Sequence, residues 1–481
     1  MVMGTGLLAT FHDARTLWAV AALSLVIAAS SRGFRRGSSE DYKRGVLVKN
    51  AARRRPRLLF GGRPRLPPGF RKLPAVTLGG IAVPFADETR HFKMVGTTGT
   101  GKSTAIEELL GGALARGDRA VVADPDGGYR RRFFDRYRGD VILNPAERES
   151  VRWEPFDEIN DRYDVDALSL GLIPSTGDAS SNEWRAYART FLSAVLRRCA
   201  ELPGRNVAEL WRLLAVAPAE ELRSVVADTA AQPFLDPDNA RMFGSIRAVT
   251  VSALAALERV QEQRSAPFSV RRWVRRASET GVLFIPYRAG QVAALGAMIA
   301  TWMRIAIFEA MNGDPNRDQR LWFVVDELDA LGAVEGLKDA LARLRKFGGR
   351  CVLGFQSIAQ VSGTYGTAAA QTIVENCGNT LILRCSSGEN GGTSQFASKL
   401  IGEREIIRRQ TSRGSDREGL FAVRNTRRSK NTSEQHVTEV AVMASQIEQL
   451  PDLCGYFKLA SAREWRTVAI CAPRRRGHQL S

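Results

Sequence analysis

The sequence predicts an α/β nucleotide-binding fold: a mainly parallel sheet, covered by helices on both faces and interrupted by an all-helical insertion. Three observations carry that prediction. Residues 96–104 read Gly96-Thr97-Thr98-Gly99-Thr100-Gly101-Lys102-Ser103-Thr104, a phosphate-binding loop that meets the G-x-x-x-x-G-K-[ST] pattern in full. Short apolar runs alternate with helical stretches around it, the pattern of strands buried on both faces. From about residue 150 to 265 strand signals vanish and helical periodicity takes over, with Leu, Ala and Arg abundant.

Taken in order, residues 76–84 (VTLGGIAVP) read as strand, turn, strand. Residues 91–95 form a short strand into the phosphate loop, and 105–115 a helix out of it. Residues 119–124 are an apolar strand ending in Asp124-Pro125-Asp126-Gly127, and 141–143 a further strand before Asn144-Pro145. Strand character returns at 281–286, a long apolar helix covers about 291–310, and the strand at 321–325 runs into Asp326-Glu327. Strands at 351–355, 380–383 and about 456–460 complete the sheet. Residues 404–430, with nine Lys and Arg among Gly, Ser and Asn, read as an exposed, mobile loop with a basic face. No internal repeat is apparent.

At 481 residues the chain has room for about two to four domains. Its 44% hydrophobic and 25% charged residues exclude a disordered protein. The six cysteines form no Cys-x-x-Cys pair, and none of the four histidines lies at ligand spacing from one, so neither a disulfide framework nor a structural zinc site is expected. The net charge of +18 is unevenly placed: residues 32–72 hold fourteen Lys and Arg against only Glu40 and Asp41. Just before them, residues 16–31 (TLWAVAALSLVIAASS) carry no charge. At about 1.5 Å per residue this stretch spans about 24 Å, somewhat short of a bilayer core of about 30 Å. An apolar helix followed by arginines fits the positive-inside rule, with everything downstream cytoplasmic. The alternatives are a signal-peptide core and a buried helix. The expected organisation is an N-terminal segment over 1–31 with one transmembrane helix at 16–31, a basic juxtamembrane linker over 32–75, a nucleotide-binding domain over 76–149 and 266–481, and an inserted all-α domain over 150–265.

In the phosphate loop, glycines let backbone N–H groups turn inward around a β-phosphate, Lys102 reaches the β- and γ-oxygens, and the Ser103 hydroxyl ligates Mg²⁺. Nucleotide binding is therefore assigned to Gly96, Thr98, Gly99, Thr100, Gly101, Lys102, Ser103 and Thr104. Binding becomes hydrolysis only with a second motif. Asp326, at the end of an apolar strand, would hold the metal with Ser103, and Glu327 would orient and deprotonate the attacking water. An acidic helix cap is the alternative for this pair. Gln356 stands where a γ-phosphate sensor would, or makes turn contacts. Arg345 is either an arginine finger inserted from a neighbouring subunit or part of an exposed helix face. Trp184 shares a helical stripe with Tyr187, Phe191 and Val195, which favours the core, although a Trp near a basic helix can also stack on bases.

Together these residues resemble the coupling proteins of conjugative type IV secretion, the TraD/TraG group that includes TrwB. The resemblance runs through ETRHFKMVGTTGTGKST (88–104), RGDRAVVADPDG (116–127), DVILNP (140–145), EWRAYAR (183–189), FVVDELDAL (323–331), GFQS (354–357) and AVMASQIEQLPDLCGY (441–456), in order and at compatible spacing. It implies a RecA-like P-loop NTPase with an inserted all-α domain. Six subunits would ring a central channel and hydrolyse ATP, with Mg²⁺, to move DNA. The family's P-loop lysine falls on Lys102, its acids on Asp326 and Glu327, its arginine finger on Arg345 and its sensor glutamine on Gln356. Its channel tryptophan falls on Trp184, which reverses the preference from periodicity. The implied partners are DNA (the single-stranded transfer strand, also duplex), a relaxase and its relaxosome, and inner-membrane components of the secretion channel. The implied location is the bacterial inner membrane, with the bulk of the chain cytoplasmic.

The chain departs from such proteins in its N-terminal region. They begin with two transmembrane helices, and residues 1–11 are too short to supply the first, so either one anchor is kept or the start is late. The expected activity is a DNA-stimulated ATPase working as a translocase. The alternative is a non-translocating tether for DNA and partners, assembled by ATP. An ABC-type transporter is excluded by the lack of an LSGGQ-like signature. A helicase of two RecA-like domains is excluded by the length remaining after Glu327.

Overall fold

The computed structural model describes residues 40–50, 75–176, 178–276, 280–315, 319–388, 391–416 and 427–471. These fall into two units, one holding residues 47–401 and 442–471, the other residues 40–46 and 402–441. The anchor expected at 16–31 and most of the basic stretch lie outside the described residues.

In the larger unit ten strands form one sheet. They are β1 (Leu47–Asn50), β2 (Phe92–Val95), β3 (Arg119–Pro125), β4 (Val141–Ile142), β5 (Val282–Tyr287), β6 (Leu321–Val325), β7 (Gly349–Phe355), β8 (Asn379–Ile382), β9 (Cys454–Lys458) and β10 (Glu464–Ala469). Their order is β1-β10-β9-β8-β2-β7-β6-β3-β5-β4. From β8 to β4 every pairing is parallel, and β9 and β10 add antiparallel pairings at the other side. The mainly parallel α/β sheet expected from the sequence is therefore present. β1 lies inside the stretch read as a linker and instead pairs in parallel with β10.

The helices that bear on the site are α1 (Lys102–Ala115), α2 (Arg162–Leu172), α3 (Ala179–Glu201), α4 (Ala240–Ala253), α5 (Val292–Glu309), α6 (Leu337–Leu344) and α7 (Thr367–Asn376). Every residue of β2, β5, β6 and β7 is buried, because helices cover both faces of the sheet. On one face α1 presents Ala105, Ile106, Leu109 and Leu110 to Phe92, Val122, Phe284 and Val324. Elsewhere α5, apolar and long enough to cross a membrane by length and composition, packs against β3, α2 and α6 and is mostly buried.

Residues 150–265 are mainly helical. Asp178 caps α3 by accepting from the backbone N–H groups of Ser180 and Ser181, and Asp161 does the same for α2 with Tyr163 and Asp164. α3 packs on α2 and α4. Before and after the helices, Arg152–Trp153 pairs in parallel with Pro267–Phe268, so the chain enters and leaves this segment at one place.

The amino ends of the central strands meet in a buried ionic cluster. Glu88 accepts from Arg116 Nη1 and Nη2 (2.7 and 2.6 Å) and from Arg350 Nε (2.8 Å). Asp118 accepts from Arg116 Nε (2.8 Å) and from the Trp322 indole (2.8 Å). All four charged side chains are at most 1% exposed. Glu88 precedes β2, Asp118 precedes β3, Trp322 lies on β6 and Arg350 on β7, so one cluster ties four neighbouring strands.

His91, just before β2, adds a neutral tie. The Cys351 N–H donates to its Nδ1 (3.1 Å), so the proton sits on Nε2, which donates to the Leu341 carbonyl of α6 (2.9 Å). Burial is the main cause that lowers its pKa to about 4; nearby Arg345 and Arg350 add to the effect.

The smaller unit corrects the expectation of a basic loop at 404–430. Glu403–Asp416 and Arg427–Val440 form a long antiparallel hairpin, in register from Glu403 opposite Val440 to Asp416 opposite Arg427, and Glu40–Gly45 pairs on its other edge. Polar residues at successive positions of both strands hide strand periodicity. Cross-strand charge pairs such as Arg404 with Glu439 (2.7 Å) supplement the backbone ladder.

Two outcomes follow. Glu88→Ala leaves Arg116 and Arg350 without their shared carboxylate, and should cost about 3–5 kcal/mol. The readout is the denaturant midpoint followed by tryptophan fluorescence; an unchanged midpoint would contradict the cluster's role. For His91, the unfolded chain takes up a proton at its ordinary pKa while the native chain does not. Its stabilisation is therefore complete above about pH 6.5 and is lost as pH falls towards 4, to a maximum of about 3 kcal/mol. Urea titrations of wild type and His91→Asn, a residue that tolerates the left-handed backbone found here (φ 57°), should show a steeper fall in the wild type across that window.

Candidate active site

The phosphate loop leaves the carboxyl end of β2, between β7 and β8, and turns directly into α1. Gly99 and Gly101 have φ of 79° and 109°, a backbone that only glycine adopts without strain. At Gly101 a side chain is also barred by space, since a Cβ there would lie 2.6 Å from Leu453 Cδ2. The loop is held from outside. Thr97 N–H donates to the Arg384 carbonyl (2.9 Å), and Leu453 N–H donates to the Thr100 carbonyl (2.9 Å). Thr100 itself is buried and donates its hydroxyl to the Thr97 carbonyl (2.7 Å).

Lys102 folds back over this loop and donates to the Gly96 carbonyl (2.7 Å). Burial lowers its pKa, against the pull of Asp326 and Glu327. An ammonium so placed, with several backbone N–H groups around it, can cradle a polyphosphate.

Asp326 ends β6 and is buried. Its Oδ2 accepts from the Ser103 hydroxyl (2.6 Å) and from the Tyr129 hydroxyl (2.8 Å). Its Oδ1 is buried and has no hydrogen-bond partner among the described residues. A divalent cation or its bound water fits that free oxygen, with Ser103 as the other protein ligand. The backbone at Asp326 is admitted by Gly354 on β7, where a Cβ would lie 2.3 Å from the Asp326 carbonyl oxygen.

Glu327 is half-buried, and its pKa is raised, first by burial and then by the neighbouring Asp326. That makes it a better proton acceptor than an ordinary surface glutamate. Gln356, one residue beyond β7, bridges the cleft: its Nε2 donates to Glu327 Oε1 (3.1 Å), and its Oε1 accepts from the Thr98 hydroxyl (2.9 Å). Thr98, Gly99, Gly101, Lys102, Ser103, Thr104, Asp326, Glu327 and Gln356 thus line one cleft of about 450 Å³, with Asp452 and Leu453 closing its rim. The backbone φ of Leu453 is 62°, unusual for leucine and held by its contacts over the loop.

Two expected residues lie elsewhere. Arg345 is exposed in the single turn after α6 and does not line the cleft of its own chain. Trp184 is 37% exposed on α3, whereas Phe191 and Val195 of the same stripe are fully buried. It packs edge-on against Tyr187 and lines a separate cavity of about 1330 Å³ with Arg185, Glu335 and Tyr365.

Sequence reasoning missed Tyr129, Tyr287, Asp452 and Leu453. Tyr287 ends β5, and its buried hydroxyl lacks a hydrogen-bond partner among the described residues, with Glu327 and Asp326 the foremost of the charges around it. Tyr129 follows Asp124-Pro125-Asp126-Gly127-Gly128, a turn at the end of a buried strand that could have flagged it.

Residues 75–470 match the family described as the type IV secretion-system coupling protein DNA-binding domain. The coupling protein TraD of Escherichia coli (strain K12) is 30% identical over 393 residues, covering 80% of this chain. The chain spans about half the length of that relative (53%). Among solved structures, the plasmid coupling protein TrwB in complex with the non-hydrolysable ATP analogue ADPNP superposes with a TM-score of 0.74 at 28% identity, covering 92% of this chain and 96% of TrwB. TrwB in complex with ADP and Mg²⁺ gives 0.72 at 29% identity, covering 85% and 91%.

The loop geometry sets one outcome. Gly101→Ala should weaken nucleotide binding about 10- to 100-fold, as backbone strain of about 1–3 kcal/mol adds to the clash with Leu453. Titration with a fluorescent ADP tests it, and wild-type affinity in the variant would refute this geometry.

Proposed function

This chain belongs to the type IV secretion-system coupling proteins, whose fold is a RecA-like P-loop NTPase, and from that premise we propose that it is an ATP-driven DNA translocase linking a relaxase–DNA complex to a type IV secretion channel in conjugative transfer. The observation that carries the proposal is the meeting of the phosphate loop, Asp326-Glu327 and Gln356 at the carboxyl ends of β2, β6 and β7. Binding alone would need only the loop. A half-buried carboxylate of raised proton affinity, held by an amide that also touches the loop, supports hydrolysis.

In this reading Lys102 exchanges the Gly96 carbonyl for the β- and γ-oxygens of ATP. Ser103 and Asp326 hold Mg²⁺, which supplies charge neutralisation on the phosphate oxygens. Glu327 takes a proton from the attacking water, and Gln356 keeps that carboxylate aimed while sensing the loop through Thr98. Arg345, exposed and outside its own cleft, would serve the site of an adjacent subunit in a homo-oligomer, proposed as a hexamer. Trp184, half-exposed on α3, would meet DNA in a central channel. Residues 76–149 and 266–481 would be the motor and 150–265 the inserted all-α domain, a division supported by the shared entry and exit at Arg152–Trp153 and Pro267–Phe268. The segment 16–31 would anchor the chain in the bacterial inner membrane, facing inner-membrane components of the secretion channel.

A titration of ATPase activity with single- and double-stranded DNA, across protein concentrations, tests the proposal. Activity should rise with DNA and more steeply than linearly with protein. Glu327→Gln should lower kcat at least about 100-fold while DNA binding persists. Equal rates with and without DNA in an assembled sample would overturn the translocase reading.

A further inference from the structure

The hydroxyl of Tyr129 donates to Asp326 Oδ2 at 2.8 Å and lies beside the Ser103 hydroxyl, and the ring is 3% exposed within the core beneath α1. A phenylalanine would fill the same space. The hydroxyl therefore answers to Asp326 rather than to packing.

The segment that carries it is fixed with unusual care. Asp126 and Gly127 both take positive φ (55° and 66°), which turns the chain sharply after β3. Asp124 then accepts from the backbone N–H groups of Tyr129 (3.0 Å) and Arg130 (2.7 Å), locking the short helix Gly128–Phe133 to the end of that strand. The Asp126 N–H donates to the Tyr287 carbonyl (2.7 Å) at the end of β5. The Tyr129 oxygen is thus positioned by two strands of the sheet, independently of the phosphate loop.

Asp326 receives both its side-chain donors, Ser103 and Tyr129, on the single oxygen Oδ2. Two donors converging on one oxygen fix the rotation of the carboxylate and leave Oδ1 buried beside Gly354, without a hydrogen-bond partner among the described residues. Without Tyr129 the carboxylate would take its orientation from Ser103 alone, a donor carried by the phosphate loop and α1. We propose that Tyr129 is a positioning residue that presents Asp326 Oδ1 to the divalent cation. The proposal rests on the reading of this cleft as a metal–nucleotide site, and it adds a third protein group to that site beyond Ser103 and Asp326.

The test is metal affinity in the nucleotide complex of the full chain. Free Mn²⁺ is followed by electron paramagnetic resonance during titration of the ADP complex, for wild type and Tyr129→Phe, alongside ADP binding in EDTA. Expected is a 5- to 30-fold weaker Mn²⁺ affinity in Tyr129→Phe with ADP affinity in EDTA unchanged. Equal Mn²⁺ affinity in the two proteins would overturn the proposal while leaving the site itself standing. Loss of ADP binding in EDTA by Tyr129→Phe would also reject it, making the hydroxyl a structural member of the core. A wild-type ADP complex that takes up no Mn²⁺ would remove the metal–nucleotide reading and this proposal together.

Discussion

The cleft depends on the register of four parallel strands, and that register is pinned at the far end from the chemistry. Glu88, Arg116, Asp118 and Arg350 join the amino ends of β2, β3, β6 and β7 in a cluster closed to water. Burying four charges is costly unless each is paired, so only one alignment of these strands keeps every carboxylate matched to a guanidinium. A one-residue slip of any strand would break that match and would also reverse which side chains face α1. Because the strands are parallel, an alignment fixed at their amino ends is delivered at their carboxyl ends, where the phosphate loop, Asp326 and Gln356 emerge.

At that end two adjacent carboxylates receive different treatment. Asp326 is enclosed and takes two hydroxyl donors on one oxygen. Glu327 is half-buried, takes one amide donor and feels the charge of its neighbour, and its proton affinity rises. One residue of sequence separates a group suited to holding a cation from a group suited to accepting a proton. The difference comes from what the surrounding strands bring to each, not from the acids themselves.

The parts of this arrangement that can be read from sequence are those whose signal is local. β3, β5, β6 and β7 are buried on both faces and appear as short, mostly apolar runs, and the phosphate loop announces itself by its glycines and Lys102. The hairpin of Glu403–Asp416 and Arg427–Val440 escaped because neither face is consistently apolar, so no period marks it as a strand. Leu453 escaped for another reason. Its contact with Gly101 joins residues more than three hundred and fifty positions apart, and nothing in its own neighbourhood signals a left-handed leucine. Tyr129 lies between these cases: the turn before it is visible, but its partner is not. Arg345 illustrates a limit of a different kind: it is exposed and outside the cleft of its own chain, so the role proposed for it on a neighbouring subunit leaves no trace there.

Gly354 carries no functional group, yet its missing side chain is the space that the Asp326 carbonyl occupies. This bears on how such a site is lost through inheritance. Damage to Lys102 or Glu327 would be recognised at once by anyone comparing motifs, because the altered atom is the chemical one. Addition of a single methyl group at position 354 would displace Asp326 without altering any side chain that lines the cleft. The heritable vulnerability of the site is therefore wider than its chemistry, and it extends to positions where function consists in leaving room.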